Sequence, residues 1–177
     1  MRAVVGLGNP GPEYVATRHN AGFLLADALA AHWQFPPFRR AERARATEGR
    51  VATTPVRILK STTFMNRSGA ALASLRADPT FTAARDLLIL VDDFQIPLGT
   101  FRLRAEGSAG GHNGLKSIEG ALQSQQYARL RIGVGPLPEG AGDWADYVLN
   151  NFEPQEREQV ESLMPQMIEA VEKWLTT

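Results

Sequence analysis

Leu87-Leu88-Ile89-Leu90-Val91-Asp92-Asp93 carries five apolar residues directly into two carboxylates. An unbroken apolar run of that length, without alternation, is the pattern of a strand buried on both faces at the centre of a parallel sheet. Residues 2–7 repeat the theme and stop at glycines, and residues 21–33 place Leu24, Leu25, Ala28 and Leu29 at helical spacing, so strand is followed by helix. Alternation around 50–52 and 56–59 predicts two further strands, arranged as a hairpin. Residues 68–75 read as a short helix of small side chains, and 101–103, 114–122 and 130–134 continue as strand, helix and strand. After Pro154 one amphipathic helix runs over about 154–176, with Pro165 predicted to interrupt or kink it. Strands alternating with helices define the expected class: α/β, a single domain over 1–177 with a twisted, mixed, mostly parallel sheet flanked by helices.

The chain has 177 residues, the size of one ordinary domain, and 44% of them are hydrophobic, enough for a real core. With no cysteine, disulfides, thiolate zinc sites and a thiol nucleophile are excluded, which fits a reducing compartment. The first residues hold one charge and a very short apolar run, neither a signal peptide nor a membrane span, so a soluble cytoplasmic protein is expected. Nineteen basic side chains balance nineteen acidic ones, but not locally: residues 1–136 hold 17 basic and 10 acidic, residues 137–177 hold 2 and 9. That asymmetry fits either an acidic solvated helix or a polyanionic partner for the body. Sixteen of the nineteen basic residues are arginine, whose planar fork matches phosphate oxygens.

In open α/β sheets ligands sit at the carboxyl ends of the strands. There the sequence places Gly8-Asn9-Pro10-Gly11, then Phe64-Met65-Asn66, Asp92-Asp93, and a glycine-rich loop, 107–114, that opens a helix. His19, just before a helix, is either a backbone-satisfied helix-start residue or a general base. An imidazole of pKa about 6.5 can take a proton from water at neutral pH. It then needs an orienting carboxylate, and Asp92 is favoured over Asp93 because adjacent strand residues face opposite ways. His32 and His112 stand in unrelated contexts and no clustered ligand spacing is present, so no metal site is expected. Asn9, Asn66 and Asn113 are each explained singly as turn or cap residues. Together they offer neutral donors and acceptors suited to an ester carbonyl, a peptide backbone or ribose hydroxyls. Ser108 lacks the flanking glycines of a nucleophile elbow, which leaves water as the nucleophile.

Gly6-Leu7-Gly8-Asn9-Pro10-Gly11 matches the three-glycine dinucleotide fingerprint, but prolines fill the loop and neither the second strand nor its acid follows. A nicotinamide cofactor, and with it an oxidoreductase, is rejected and no cofactor is expected. Arg102 and Arg104 alternate along one strand and Arg129 and Arg131 along another. They form either a solvent-facing pleat or, if they share a side with the glycine loop, a phosphate site.

The motifs, taken in order, resemble those of bacterial peptidyl-tRNA hydrolases over nearly the whole chain. They are Val5-Gly6-Leu7-Gly8-Asn9-Pro10-Gly11, Glu13-Tyr14, Thr17-Arg18-His19-Asn20-Ala21-Gly22 and Thr63-Phe64-Met65-Asn66-Arg67-Ser68-Gly69. Val91-Asp92-Asp93, Pro97-Leu98-Gly99, Gly110-Gly111-His112-Asn113-Gly114-Leu115-Lys116-Ser117-Ile118 and Arg129-Leu130-Arg131-Ile132-Gly133 complete the set. The resemblance implies hydrolysis of the ester between a peptide and the terminal ribose of its tRNA by a monomeric, metal-independent enzyme. It implies His19 as base, Asp92 as its partner, Asn9 and Asn66 as groups that hold substrate, and Asn113 as the residue that positions water and substrate. Tyr14, Asn20, Phe64 and Met65 match cleft-lining positions, Arg104 and Arg131 match a clamp for the tRNA's 5′ phosphate, and 136–151 resembles a mobile lid. Ser61 and Val91 depart from the family's common proline and its common histidine or tyrosine. A rival reading, a non-catalytic RNA-binding module on the same scaffold, is opposed by the retention of His19, Asp92 and all three asparagines.

Overall fold

A computed structural model describes residues 1–140 and 142–177. Strand β1 (Arg2–Gly6) leads through 3-10 turns at Pro12–Tyr14 and Arg18–Asn20 into helix α1 (Ala21–His32). Strands β2 (Arg39–Ala41), β3 (Ala44–Val51) and β4 (Thr54–Ser61) follow, then a 3-10 helix Met65–Leu72 that passes into α2 (Ala73–Arg76). A short α3 (Ala83–Asp86) precedes β5 (Leu87–Pro97), β6 (Phe101–Arg104), α4 (Asn113–Leu122) and β7 (Ala128–Gly135). Helices α5 (Trp144–Leu149) and α6 (Pro154–Leu175) complete the chain.

All seven strands form one sheet in the order β2-β3-β4-β1-β5-β7-β6. Its centre, β4, β1, β5 and β7, is parallel, while β2, β3 and β6 add antiparallel edges. The class expected from sequence is therefore the class found. Period-two alternation divides the buried side chains between two layers. Val4, Ile58, Leu88, Leu90, Leu130 and Ile132 pack against α1 and α6. Val5, Leu59, Ile89 and Val91 pack on the other face against α4 and the 3-10 helix.

The differences from the sequence reading have physical causes. The 68–75 helix begins three residues earlier as a 3-10 helix, and Gly69 lies so close to α4 that a Cβ there would stand 2.5 Å from the Ser117 carbonyl oxygen. The 50–52 strand extends back to Ala44, because Ala44 and Ala46 are buried while the residues between and beyond them are mostly polar. Helix α6 is not interrupted at Pro165. Pro165 and Glu161, whose carbonyl loses its helical partner, are both on the exposed side, where the loss is least costly.

One close approach sets the height of the future site. A Cβ on Gly22, in the first turn of α1, would lie 2.3 Å from the Leu90 carbonyl oxygen of β5. Only glycine lets the helix backbone rest directly on the strand there. The turn just before α1, which carries His19, is thereby brought level with the end of the apolar run of β5, where Asp92 stands.

Candidate active site

Five segments at the carboxyl edge of the sheet converge as the topology requires. The β1 loop brings Asn9, the turn before α1 brings His19, the end of β5 brings Asp92, and the loops preceding the 3-10 helix and α4 bring Met65, Asn66, His112 and Asn113. Asn9, His19, Met65, Asn66 and Asn113 line one cavity of about 230 Å³, roofed by Trp144 and Val148 of α5. Larger hollows of about 760 Å³ beside Gly110 and Lys116, and about 630 Å³ beside Trp174, contain no imidazole.

His19 and Asp92 are 6% and 2% exposed, and Nδ1 of His19 stands 2.9 and 2.8 Å from the two carboxylate oxygens of Asp92. Spending Nδ1–H on the carboxylate leaves Nε2 as the free ring nitrogen. Burial by itself disfavours the imidazolium, but the adjacent Asp92 charge and its hydrogen bond outweigh it, so the pKa of His19 is raised above 6.5. Burial likewise works against ionised Asp92, yet His19 and His112 more than compensate and hold its carboxyl well below the usual range. Asp92 is therefore an anion across the physiological range, and His19 is the group that titrates.

His112 belongs to this group, contrary to the sequence reading that set it in an unrelated context. Its Nε2 lies 2.9 Å from Asp92 Oδ1, and its ring centroid is 5.0 Å from that of His19. The signal was its place immediately before a helix that starts at the sheet's ligand edge. Ligand atoms of His19, Asp92 and His112 fall within 4.8 Å of one another. Both ring nitrogens point at the carboxylate at 2.8–2.9 Å, the separation at which a proton sits between nitrogen and oxygen. The arrangement is that of a hydrogen-bonded triad.

The asparagines divide their work. Asn9 Oδ1 accepts from the Met65 backbone N–H at 2.8 Å, which turns the amide nitrogen of Asn9 into the end available to a ligand. Asn20, expected at the cleft wall, is 2% exposed and holds the Asn9 backbone: its Oδ1 accepts from Asn9 N–H at 2.8 Å and its Nδ2 donates to Asn9 O at 3.0 Å. Asn66 and Asn113 are exposed on the cavity rim. Tyr14 and Phe64 meet edge to face at 6.2 Å, with Phe64 54% exposed. The two departures lie beneath this surface: Val91 is fully packed, and the buried Ser61 hydroxyl has no partner among the described residues.

The register pairs Arg102 with Arg131 and Arg104 with Arg129, which puts all four arginines on one face of the sheet. That face carries the glycine loop, since Arg131 Nη2 donates to Ser108 O at 2.6 Å and Arg129 Nη1 to the same oxygen at 3.4 Å. Arg129 is fully buried, stacked 4.1 Å from the Tyr127 ring and bonded to the carbonyls of Gln125 and Tyr127, so it is a structural member rather than part of a solvent-facing pleat. Arg102 and Arg104 are exposed, and Arg131 also pairs with Asp93 at 3.3 Å.

A sheet edge carrying a buried imidazole–carboxylate couple, with amides around a small cavity, has the chemistry of a hydrolase site. Comparison with known proteins gives the family. The family model for peptidyl-tRNA hydrolase matches residues 3–177. The peptidyl-tRNA hydrolase of Gemmatimonas aurantiaca is 48% identical, covering 99% of this chain and 93% of that protein. That of Gloeobacter violaceus is 44% identical, covering 97% and 86%. The crystal structure of the Acinetobacter baumannii peptidyl-tRNA hydrolase superposes with a TM-score of 0.90 at 30% identity, covering 99% of this chain and 89% of that one. The chain belongs to the peptidyl-tRNA hydrolase family.

The opposed effects of burial and Asp92 on His19 give a testable sign. Followed by NMR, the wild-type ring titrates above 6.5. In Asp92→Asn the attraction is gone and burial remains, so its midpoint falls below 6.5; an unmoved midpoint would break the assigned coupling.

Proposed function

We propose that this protein hydrolyses the ester joining a peptide, or an N-blocked aminoacyl group, to the terminal ribose of tRNA, recycling tRNA from prematurely released peptidyl-tRNA. The observation that carries the proposal is the His19–Asp92 couple, with its free Nε2 beside a cavity lined by amides. Neutral His19 takes a proton from water at Nε2, Asp92 stabilises the imidazolium that forms, and the water oxygen attacks the ester carbonyl. The developing oxyanion is met by the amide nitrogen of Asn9, whose direction is fixed by Met65 N–H. As the intermediate collapses, the imidazolium returns the proton to the departing ribose oxygen, leaving a free tRNA end and a peptide carboxylic acid, which loses its proton to solvent. An ester is easier to cleave than an amide, so a base and a few oriented dipoles suffice.

Asn66 and Asn113 hold the acyl group and the attacking water at the rim. Tyr14, Phe64 and Met65 line the way in, and Asn20 acts one step removed by holding Asn9. Arg104 and Arg131 receive the 5′ phosphate of the acceptor end, on the face that also carries the Gly110–Gly111 turn. Segment 136–151 serves as a lid; its helix α5 already places Trp144 and Val148 over the cavity, while residue 141 lies outside the described residues. In this reading the enzyme works as a monomer in the cytoplasm. Among the described residues no helix is long and apolar enough to cross a membrane.

Hydrolysis of N-acetyl-aminoacyl-tRNA is the direct assay. His19→Ala lowers kcat by about 10²- to 10⁴-fold with a much smaller change in KM, since a positioned base acts on the transition state. Equal loss in kcat/KM through KM alone would remove His19 from the chemistry. Arg104→Ala and Arg131→Ala instead weaken binding, and each flattens the dependence of log affinity on log salt by about 0.7 for a contact to a single-stranded end. An unchanged slope would take that arginine out of the phosphate site.

A further inference from the structure

The mechanism so far leaves one half-buried titratable ring, His112, unused. We propose that His112 is a positioning residue: one ring nitrogen holds Asp92 on the side away from His19, the other caps α4, and a single ring thereby sets both the direction of the base and the place of Asn113. The proposal rests on the hydrolase reading above and deepens it.

The two bonds leave no freedom in how the ring is protonated. Nδ1 of His112 accepts from the backbone N–H groups of Gly114 at 3.0 Å and Leu115 at 3.3 Å. An amide N–H can only donate, so Nδ1 carries the lone pair and the hydrogen of the neutral ring resides on Nε2. Nε2–H therefore donates to Asp92 Oδ1 at 2.9 Å. The donated bonds at the helix start are those a capping Asn or Asp would take, here taken by an imidazole whose far side reaches the carboxylate.

The carboxylate depends on that second donor. Among the described residues the hydrogen-bond donors to Asp92 are the two histidines: His19 spans both oxygens and His112 fixes Oδ1. With His112 gone, His19 alone holds Asp92, and carboxylate and ring are free to turn together. The neighbouring charged groups are already engaged or turned away. Asp93 pairs with Arg131, and Arg18 donates to Glu156 at 2.7 Å. Lys116 of α4 and Asp143 and Asp146 at α5 are exposed, while α5 turns Trp144 and Val148 toward the couple.

The same ring is wedged between Asp92 and the residues that line the cavity. Gly110 and Gly111, at φ of 60° and 84°, turn the chain so that residue 112 faces inward. A Cβ on Gly114 would stand 2.9 Å from His112 Cε1 and 2.5 Å from Met65 Sδ, so nothing separates the ring from the residue whose N–H directs Asn9. Asn113 follows immediately as the first residue of α4.

Two substitutions separate the two bonds. In His112→Asn the side-chain oxygen takes the place of Nδ1, keeping the cap and losing the donor to Asp92. In His112→Gln the amide nitrogen takes the place of Nε2, keeping the donor and losing the cap. The proposal predicts that H112N melts with the wild type but loses about tenfold or more in kcat, the scale seen when partners that orient a functional ring are removed. Its acid limb moves to higher pH, because a carboxylate with one donor fewer grips the His19 proton more tightly. H112Q melts lower, yet its kcat exceeds that of H112N by about tenfold and its acid limb keeps the wild-type midpoint. Activity that follows melting temperature in both variants, or an H112N acid limb unmoved or shifted down, overturns it. Wild-type protein inactive on N-acetyl-aminoacyl-tRNA defeats the hydrolase reading alone; the His19 midpoint by NMR, raised in H112N and unmoved in H112Q, then decides the positioning role.

Discussion

A carboxylate with 2% of its surface exposed stands at the end of the apolar run of the central strand, and the loops around it are arranged on its account. An ionised group taken out of water costs several kcal/mol unless it is paired and fully hydrogen-bonded. Asp92 meets that requirement with two imidazoles reached from different parts of the chain, residues 19 and 112. Each is held in turn: the first by the close seat of α1 on β5 at Gly22, the second by the start of α4. A folded chain with Asp92 ionised is therefore also a chain with His19 aligned. Stability of the buried charge and alignment of the proposed base are one arrangement, not two.

The remaining polar groups near the cavity follow a division of labour. Asn9 and Arg131, which face the cavity and the glycine loop, each have neighbours spent inside to hold them. Asn9 presents its amide nitrogen because Met65 N–H takes its oxygen and Asn20 grips its backbone on both sides. Arg131 is half-buried beside Arg129, which is fully buried and committed to three backbone carbonyls. Buried polar atoms that are fully satisfied rigidify their neighbours, and a small cavity made of neutral amides depends on such rigidity for its directionality.

Much of this was legible in the chain because the deciding signals are local. A five-residue apolar run cannot be solvated on either face, so β5 had to be central, and the residues at its end had to lie at the ligand edge. The same reasoning placed β1, α1 and Asn9, and the period-two rule chose Asp92 over Asp93. The rest depended on contacts that sequence spacing does not encode. His112 lies 20 residues beyond Asp92 and returns to it through two left-handed glycines, a turn visible only in three dimensions. Asn20 was placed at the cleft wall by the family resemblance, but its side chain is spent inside on the Asn9 backbone. Arg129 has the alternation of a surface pair and is buried because the glycine loop folds over it. The 3-10 stretch at Met65–Leu72 has helical composition, and the close seat of Gly69 on Ser117 is a contact that spacing does not encode.

Two imidazoles on one carboxylate must carry their hydrogens on different nitrogens for the arrangement to work, and that is directly observable. Nitrogen-15 NMR of the imidazole side chains, at a pH above the His19 midpoint, distinguishes a ring nitrogen bearing hydrogen from a bare one. The account predicts opposite tautomers: His19 with hydrogen on Nδ1 and a bare Nε2, His112 with hydrogen on Nε2 and a bare Nδ1. Hydrogen found on Nε2 of neutral His19 would contradict it, because that nitrogen then has no lone pair with which to take a proton from water.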